Sequence, residues 1–258
     1  MVILLTRRHS EKSGMIDIHC HILPQMDDGA RDVAQAGAMM AAQRACGVDA
    51  MYLTPHFYPD ETPLEDFLSA RSSAWDALCD AMNPRDLSSV RLGAEVRYCQ
   101  SLLSLDVEKV TLGGGSYLLL ELPGQRYPAY IKRITEALLE KGLTPILAHV
   151  ERYAYFREDP DLLKGLIDLG ALAQVSAQAL LDKRDKHFSL ACLQHGLAQI
   201  VATDAHDLTN RKPCMDQIHK LPKELQQLHN EFSEAVWANE LPPYLRATHV
   251  KKTFFGYR

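Results

Sequence analysis

The sequence predicts an α/β fold in which parallel strands close into a distorted barrel of about seven βα units. Short, uninterrupted apolar runs recur along the chain, as is typical of parallel strands buried on both faces. Amphipathic stretches with a helical period separate several of these runs. The chain has 258 residues, and a single α/β barrel typically needs about 250. We expect the strands to close because an open sheet of this size would expose its edges.

The elements follow in order along one domain, which we expect to cover residues 15–258. Residues 1–14 are expected to be a disordered N-terminal extension, and residues 214–258 a helical tail that packs against the barrel and breaks at Pro242-Pro243. The predicted strands are residues 15–19, 49–55, 90–96, 117–122, 144–150, 171–177 and 198–204. The predicted helices are residues 32–46, 64–82, 128–141, 160–169 and 187–195.

Composition narrows the range of functions. Hydrophobic residues make up 47% of the chain, charged residues 24%, and the net charge is −5. This acidity argues against a nucleic-acid partner, since such surfaces are usually basic. No apolar run approaches the roughly 18 residues of a membrane span, so we expect no membrane insertion. The 6 cysteines form no CxxC pair, which is typical of reduced thiols in a cytoplasmic protein.

Histidines and carboxylates follow nearly every predicted strand. In a parallel barrel the carboxyl ends of the strands meet at one pocket, where active sites form. Imidazole nitrogens and carboxylate oxygens without thiolates suit Mn, Fe or Zn, and the number of candidates suggests more than one ion. Cations would also offset the repulsion between the clustered carboxylates. The candidates are His19, His21, Asp28, His56, Glu95, Glu121, His149, Asp204 and His206, with Asp27 beside Asp28.

Simpler interpretations exist for single members of this set. One histidine pair separated by a single residue is weak evidence for a metal. Glu121 alone could be a buried acid paired with an arginine, and Asp27 could cap a helix that begins near Arg31. These interpretations leave the whole set of strand-end residues to coincidence. A metal site is therefore the prediction.

Six motifs carry a family resemblance, in order from Met15 to about Pro213. They are DIHCHILPQMDDGA, TPHF, GAEVRY, LLLELP, AHVERY and ATDAHDLTNR. Together they closely resemble the PHP-type metallophosphatases of the CpsB/CapC family. These are bacterial manganese-dependent protein-tyrosine phosphatases encoded with capsule or exopolysaccharide genes. The resemblance implies a PHP-type distorted (β/α)7 barrel with its metal site at the carboxyl ends of the strands.

The resemblance also implies roles for individual residues around three Mn²⁺ ions, with Fe or Zn as alternatives. Arg152 and Arg211 would bind the phosphate. Cys20 and Gln25 stand where the family commonly has other residues, but neither is an expected ligand. The first ion would be held by His19, His21, Glu95 and Asp204; the second by Glu95, Glu121 and His149; and the third by Asp28, His56 and His206.

The implied reaction is hydrolysis of phosphotyrosine by a metal-activated hydroxide. The implied substrate is the tyrosine-rich tail of a membrane-bound tyrosine autokinase that governs polysaccharide synthesis. Two alternatives stay open on the sequence alone. One is a small-molecule phosphomonoesterase, such as a histidinol phosphatase, with the same metals. The other is a regulatory module that binds metal without turnover.

Two local patterns offer rival interpretations. Cys79 and Arg85 have the Cys-x5-Arg spacing of cysteine-dependent phosphatases. The residues between them include no glycine to shape a phosphate-binding loop, so we interpret the spacing as a coincidence at a helix end. Arg152 could instead form a surface ion pair with Glu151 or Glu158.

Overall fold

Nine parallel strands form the centre of the molecule. A computed structural model describes residues 14–253 and 256–257, and the predicted extension lies outside them except for Gly14. The strands are β1 (Met15–Cys20), β2 (Val48–Leu53), β3 (His56–Phe57), β4 (Val90–Leu92), β5 (Glu95–Arg97), β6 (Tyr117–Glu121), β7 (Thr144–Leu147), β8 (Leu172–Ser176) and β9 (Ile200–Ala202). Every residue of β1 and β8 is buried, which explains their unbroken apolar character.

The strands form two sheets that meet at a seam. One sheet has the order β1-β2-β4 and the other has the order β3-β5-β6-β7-β8-β9. After β9 the chain pairs with β1, where the amide of His21 donates to the Ala205 carbonyl at 2.8 Å. The amide of Asp204 donates to the His19 carbonyl at the same distance, 2.8 Å. The sheets therefore curl into a closed barrel, which confirms the predicted fold class.

The third predicted strand is split in the structure. Residues 90–96 form not one strand but β4 and β5, because the chain changes sheets at Gly93-Ala94. β4 pairs with β2, whereas β5 pairs with β3 and β6. The backbone at Gly93 passes so close to Leu112 that an added Cβ would lie 2.7 Å from the leucine side chain. Prediction of a single strand was wrong here because it ignored this crossing.

Helices cover the outside of the barrel. They are α1 (Val33–Ala45), α2 (Leu64–Ala81), α3 (Pro84–Leu87), α4 (Ile131–Glu140), α5 (Ala154–Glu158), α6 (Pro160–Leu169), α7 (Lys186–Gln194) and α8 (Lys223–Ala238). The N-cap of α1 is Asp32, whose side chain accepts from the Gln35 amide at 2.8 Å. Asp27 therefore does not cap this helix. Among the described residues, no helix is both long and apolar enough to span a membrane.

The segment after Pro213 adds one long helix and a hairpin. The helix α8 packs against β1 and β9 and ends at Asn239, whose φ of 54° terminates it ahead of Pro242. The short strands β10 (Lys252–Thr253) and β11 (Gly256–Tyr257) form an antiparallel hairpin. Its Tyr257 ring lies 4.9 Å from Phe188 of α7. This segment thus lies against the barrel along much of its length.

Candidate metal centre

The structure brings the nine candidate ligands together at the carboxyl edge of the barrel. We call this set the metal cluster. His149 lies beside Glu95, with its Nε2 2.7 Å from Oε1 of that carboxylate. The other eight form three overlapping groups, and within each group the possible ligand atoms lie within 4.8 Å of one another. The groups are His19, His21, Glu95 and Asp204; His21, Asp28, His56 and His206; and His56, Glu95 and Glu121.

Glu95 lies at the middle of the cluster. Its Oε2 is 3.2 Å from His19 Nε2, 3.3 Å from His21 Nε2 and 3.0 Å from His56 Nδ1. The side chain is fully buried, yet this oxygen makes no hydrogen bond of acceptable geometry within the described chain. Two ligands that are each about 2.1 Å from one ion lie about 3 Å apart. One oxygen that faces three ring nitrogens without an acceptable hydrogen bond therefore fits shared coordination of a cation.

Asp204 presents a second buried oxygen of the same kind. Its Oδ1 lies 3.3 Å from Nε2 of both His19 and His21, and it too lacks a hydrogen-bond partner among the described residues. The backbone at Asp204 has a φ of 51°, and that at His149 has a φ of 35°. Such left-handed conformations are uncommon outside glycine and concentrate at functional sites. The backbone is thus strained where it presents these two side chains.

The charges of the cluster depend on one another. Burial by itself would raise the pKa of Glu95, but the charges of His19 and His149 hold that pKa well below its usual value. Glu121 behaves oppositely, because burial and the negative charge of Glu95 both raise the pKa of Glu121. Burial opposes protonation of His21, yet the nearby carboxylates of Asp27 and Asp204 raise the pKa of His21 well above its usual value. The buried acids therefore require positive charge, supplied by imidazolium protons or by cations.

The donor set fits divalent cations. Its ligand atoms are imidazole nitrogens and carboxylate oxygens, which suit Mn, Fe and Zn. Two of the carboxylate oxygens and three ring nitrogens of the cluster are buried without a hydrogen-bond partner in the described part of the chain. Unpaired buried polar atoms are costly, and metal coordination is an established way to satisfy them. A neutral, hydrogen-bonded interpretation of the cluster leaves these atoms unexplained.

Asp27 holds one of the histidines in place, a role that the sequence did not reveal. Its Oδ2 lies 2.7 Å from His21 Nδ1 and also accepts the backbone amide of His56 at 2.8 Å. Burial would raise the pKa of Asp27, but the His21 charge and these hydrogen bonds lower it well below its usual value. The contact turns His21 Nε2 toward Glu95 and Asp204. Metal-binding histidines commonly have such a carboxylate on their other nitrogen.

Gln174 of β8 plays a similar part for His19. Its buried side-chain oxygen lies 3.2 Å from His19 Nδ1 and accepts the backbone amide of His149 at 2.9 Å. When Nδ1 of His19 donates to this oxygen, Nε2 is free to bind a cation. One amide thus positions side chains from two neighbouring elements. The available signal in the sequence was a lone glutamine inside an apolar strand.

Two guanidinium groups lie at the mouth of the cluster. Arg152 follows β7 in a short 3-10 turn, and Arg211 lies in the loop beyond β9. Their Nη2 atoms are 2.5 Å and 2.7 Å from Asp204 Oδ2. Arg152 does not pair with Glu151, which instead accepts the Ser176 amide at 3.2 Å. With exposed fractions of 39% and 34%, both arginines are accessible to a substrate.

The two cysteines that drew attention in the sequence lie elsewhere. Cys79 is near the end of α2, and Arg85 belongs to the separate helix α3, so no loop of backbone amides joins them. Cys20 is buried, and its thiol donates to the Tyr52 carbonyl at 3.2 Å. It therefore points toward β2, away from the histidines on either side of it. Neither cysteine contributes to the cluster.

Comparisons with known proteins identify relatives of this chain. The family model for capsular polysaccharide synthesis, CpsB/CapC, matches residues 15–235. The tyrosine-protein phosphatase YwqE of Bacillus subtilis (strain 168) is 34% identical over 222 residues, which cover 81% of this chain and 85% of the relative. The putative tyrosine-protein phosphatase CapC of Staphylococcus aureus is 29% identical over 241 residues, covering 90% of this chain and 89% of the relative.

A solved structure shows the same architecture. It comes from work on YwqE of Bacillus subtilis and CpsB of Streptococcus pneumoniae, described there as unique metal-dependent tyrosine phosphatases. The match has a TM-score of 0.83 at 31% identity and covers 92% of this chain and all of the solved chain (100%). The likeness therefore extends over nearly the whole barrel.

Proposed function

The chain belongs to the CpsB/CapC family of capsular polysaccharide synthesis, and we propose that it is a manganese-dependent protein-tyrosine phosphatase. The observation that carries the proposal is the convergence of buried imidazoles and carboxylates on Glu95, with two arginines at the mouth. The relatives named tyrosine-protein phosphatases support the reaction class. The donor chemistry supports a metal of the Mn, Fe and Zn group.

The cluster would hold three ions, with Mn²⁺ preferred and Fe or Zn as alternatives. Glu95 would bridge the first and second ions, since both of its oxygens face imidazole nitrogens. His19, His21, Glu95 and Asp204 would hold the first ion; Glu95, Glu121 and His149 the second; and Asp28, His56 and His206 the third. When bound, such ions lower the pKa of a water molecule and neutralise charge on phosphate oxygens.

The arginines bind and orient the phosphate. In the structure they pair with Asp204, and an arriving phosphate would take over these planar donors. Their fork geometry matches two phosphate oxygens at once, which a lysine does not. The leaving phenolate is stable enough that protonation by a side chain matters less than it does for an alkyl alcohol. Arg152 and Arg211 therefore contribute binding and charge neutralisation.

The physiological substrate would be the tyrosine-rich tail of a membrane-bound tyrosine autokinase, in capsule or exopolysaccharide synthesis. The family's link to capsular polysaccharide synthesis supports this biological setting. Asp28, at the mouth of the cluster, is 64% exposed, which suits a flexible protein segment as substrate. The six cysteines are free thiols, and this agrees with a reaction in the reducing cytoplasm.

Phosphate release by the purified protein tests the proposal. A phosphotyrosine peptide and histidinol phosphate are assayed in parallel, with Mn²⁺ and after chelation. We expect Mn²⁺-dependent release that strongly favours the peptide. The variant Cys79→Ser is the control, and it should match the wild type because its thiol lies outside the site.

Other outcomes would change the conclusion. A preference for histidinol phosphate would replace the proposed substrate with a small phosphomonoester. Metal binding without release from either compound would replace the enzyme with a metal-binding regulatory module. Activity that survives chelation and is lost in Cys79→Ser would contradict the metal-dependent mechanism.

A further inference from the structure

An apolar groove opens directly off the metal cluster. It lies between the loop before Asp28 and the first turns of α2, and its volume is about 520 Å³. The apolar part of its lining is formed by Met26, Tyr58, Phe67 and Ala70, and the polar part includes Asp27, Asp28, His56 and Asp66. We call it the α2 groove. Because two candidate metal ligands belong to its lining, whatever occupies the groove is next to the reacting phosphate.

The aromatic wall of the groove is held rigidly. The Tyr58 ring stacks on His56 at 5.1 Å with an interplanar angle of 28°, and the Arg97 guanidinium lies 4.1 Å from the same ring. Phe67 is 4% exposed and packs 4.7 Å from Phe57. A preformed aromatic wall binds an apolar side chain with little loss of conformational entropy.

The charge of the groove limits what enters it. Its lining includes the exposed carboxylates of Asp28 and Asp66, and it contains no lysine or arginine among the described residues. The nearby Arg97 is paired with Glu61. An acidic side chain, or a second phosphotyrosine, would face the Asp66 carboxylate here, and the described lining offers no basic side chain to pair with it.

We propose that the α2 groove is a substrate subsite for an uncharged apolar or aromatic side chain two residues from the phosphotyrosine. The inference rests on the proposed phosphatase function and adds sequence selectivity to it. In an extended peptide, side chains two residues apart point to the same face and lie about 7 Å apart. A side chain two residues from the phosphotyrosine therefore reaches the groove while the phosphate lies on the cluster. The same enzyme removes phosphate more slowly from a tyrosine with an acidic residue at that position.

Matched peptides test the selectivity. Phosphotyrosine peptides that differ at one position only, with Phe, Ser or Glu two residues before or two residues after the phosphotyrosine, are compared by kcat/KM. We expect Phe to exceed Glu by about tenfold or more, which corresponds to burial of one aromatic side chain. Equal values for all the peptides would overturn the inference and leave the phosphatase proposal intact. A wild-type protein that hydrolyses none of them would overturn both.

A groove-filling variant tests the location. Ala70→Trp should lower kcat/KM for the Phe peptide about tenfold more than for a small aryl phosphate, which needs no groove. Ala77→Trp is the control, since Ala77 is exposed on the same helix about two turns beyond the groove. Binding of the unphosphorylated Phe peptide, followed by fluorescence anisotropy, should weaken only in Ala70→Trp. Equal losses on both substrates, or equal effects of the two tryptophans, would overturn the location.

Discussion

Two buried polar clusters lie side by side along β1, and they satisfy their charges in opposite ways. Asp17, His19 and His21 are two residues apart from one another in the chain, so their side chains point to the same face of the strand. Asp17 forms what we call the aspartate network with Gln43 and Thr203, and its two oxygens accept hydrogen bonds from both of those side chains and from two backbone amides. In the metal cluster, by contrast, Glu95 Oε2 and Asp204 Oδ1 find no donor among the described residues.

The difference shows what separates a structural carboxylate from a metal-binding one. The carboxylates of Asp17, Glu95 and Asp204 are all buried in the barrel interior. The aspartate network has enough neutral donors, because Gln43 of α1 and Thr203 after β9 point toward Asp17. The metal cluster has buried acceptor oxygens without a donor among the described residues, and divalent cations would satisfy them. Burial of a carboxylate alone therefore does not indicate a metal site. The informative quantity is the number of hydrogen-bond donors that its oxygens have in the protein.

The largest expected effect comes from exchanging the central acid of the metal cluster. Glu95→Gln replaces the carboxylate that faces three imidazoles by a neutral amide. Loss of a residue that only supports a metal ligand lowers metal affinity or activity by up to about a hundredfold. Loss of the central ligand should cost at least as much, so we expect loss of bound metal and a fall in kcat/KM of at least about a hundredfold. Metal content is measured by mass spectrometry and kcat/KM with a phosphotyrosine peptide.

The matching variant in the aspartate network should give the reverse pattern. Asp17→Asn leaves one acceptor oxygen in place of two, so it should lower the free energy of unfolding by about 1–3 kcal/mol. Its metal content should equal that of the wild type. If Asp17→Asn lost its metal as readily as Glu95→Gln, the contrast between the two clusters would be broken.

Substitution of Arg152 and Arg211 tests phosphate binding at the metal cluster separately from metal binding. Arg152→Lys and Arg211→Lys should each lower kcat/KM about 10- to 100-fold, because a lysine loses the planar fork that fits two phosphate oxygens. Metal content should not change. Arg157→Lys is the control, since Arg157 pairs with Asp185 outside the cluster. An unchanged kcat/KM in both Arg152→Lys and Arg211→Lys would remove them from phosphate binding.

A smaller effect is expected where a carboxylate orients a histidine. Asp27→Asn keeps the shape of the side chain but removes the charge beside His21 Nδ1. We expect the affinity for Mn²⁺ to fall about 10- to 100-fold, measured by calorimetric titration of the metal-free protein. Asp32→Asn serves as the control because asparagine also caps helices well. An affinity for Mn²⁺ that falls equally in both variants would assign the effect to the loop rather than to His21.

The smallest expected effect concerns stability alone. His229 of α8 is fully buried, its Nδ1 accepts the Val201 amide at 3.2 Å, and burial lowers its pKa to about 4. In the unfolded chain the pKa is higher, near 6.5, so the unfolded state takes up a proton first as the pH falls. The stabilisation is complete above about pH 6.5 and is lost toward pH 4, which amounts to about 2 kcal/mol between pH 7 and pH 5.

Urea unfolding at the two pH values measures this loss. His229→Gln cannot titrate and should lose less free energy of unfolding over the same range. Wild type and His229→Gln are both measured without metal, so that the histidines of the metal cluster contribute equally to the pH dependence of the two proteins. A pH dependence identical in wild type and His229→Gln would show that His229 does not titrate on unfolding in this range.

The sequence predicted those helices and strands whose bounds are determined by the local pattern of apolar and polar residues. Helix α6 has the predicted bounds, and β6 differs from its prediction by one residue, because long apolar or amphipathic runs leave little choice of structure. The split at Gly93 was missed because it depends on the approach of Leu112, which is distant in the sequence. Local pattern carries no information about such a crossing.

The same limit applies to the site. The convergence of histidines and acids at one edge followed from strand ends in a parallel barrel, and the structure brings them together. The orienting roles of Asp27 and Gln174 did not follow. The role of each residue is defined by the histidine ring nitrogen that it contacts. Such a contact depends on side-chain directions in three dimensions, which the sequence pattern does not show.

The seam between β1 and the segment after β9 has a consequence for biosynthesis. Asp17 and Thr203, which meet there, are 186 residues apart in the chain, and His19 and Asp204 meet beside them. On the proposed ligand set, a nascent chain on the ribosome has no complete metal site until Asp204 and His206, after β9, have been translated and this segment has paired with β1. Closure over so long a separation is expected to be slow. We therefore expect metal capture among the last steps of maturation, and only in chains that have finished folding.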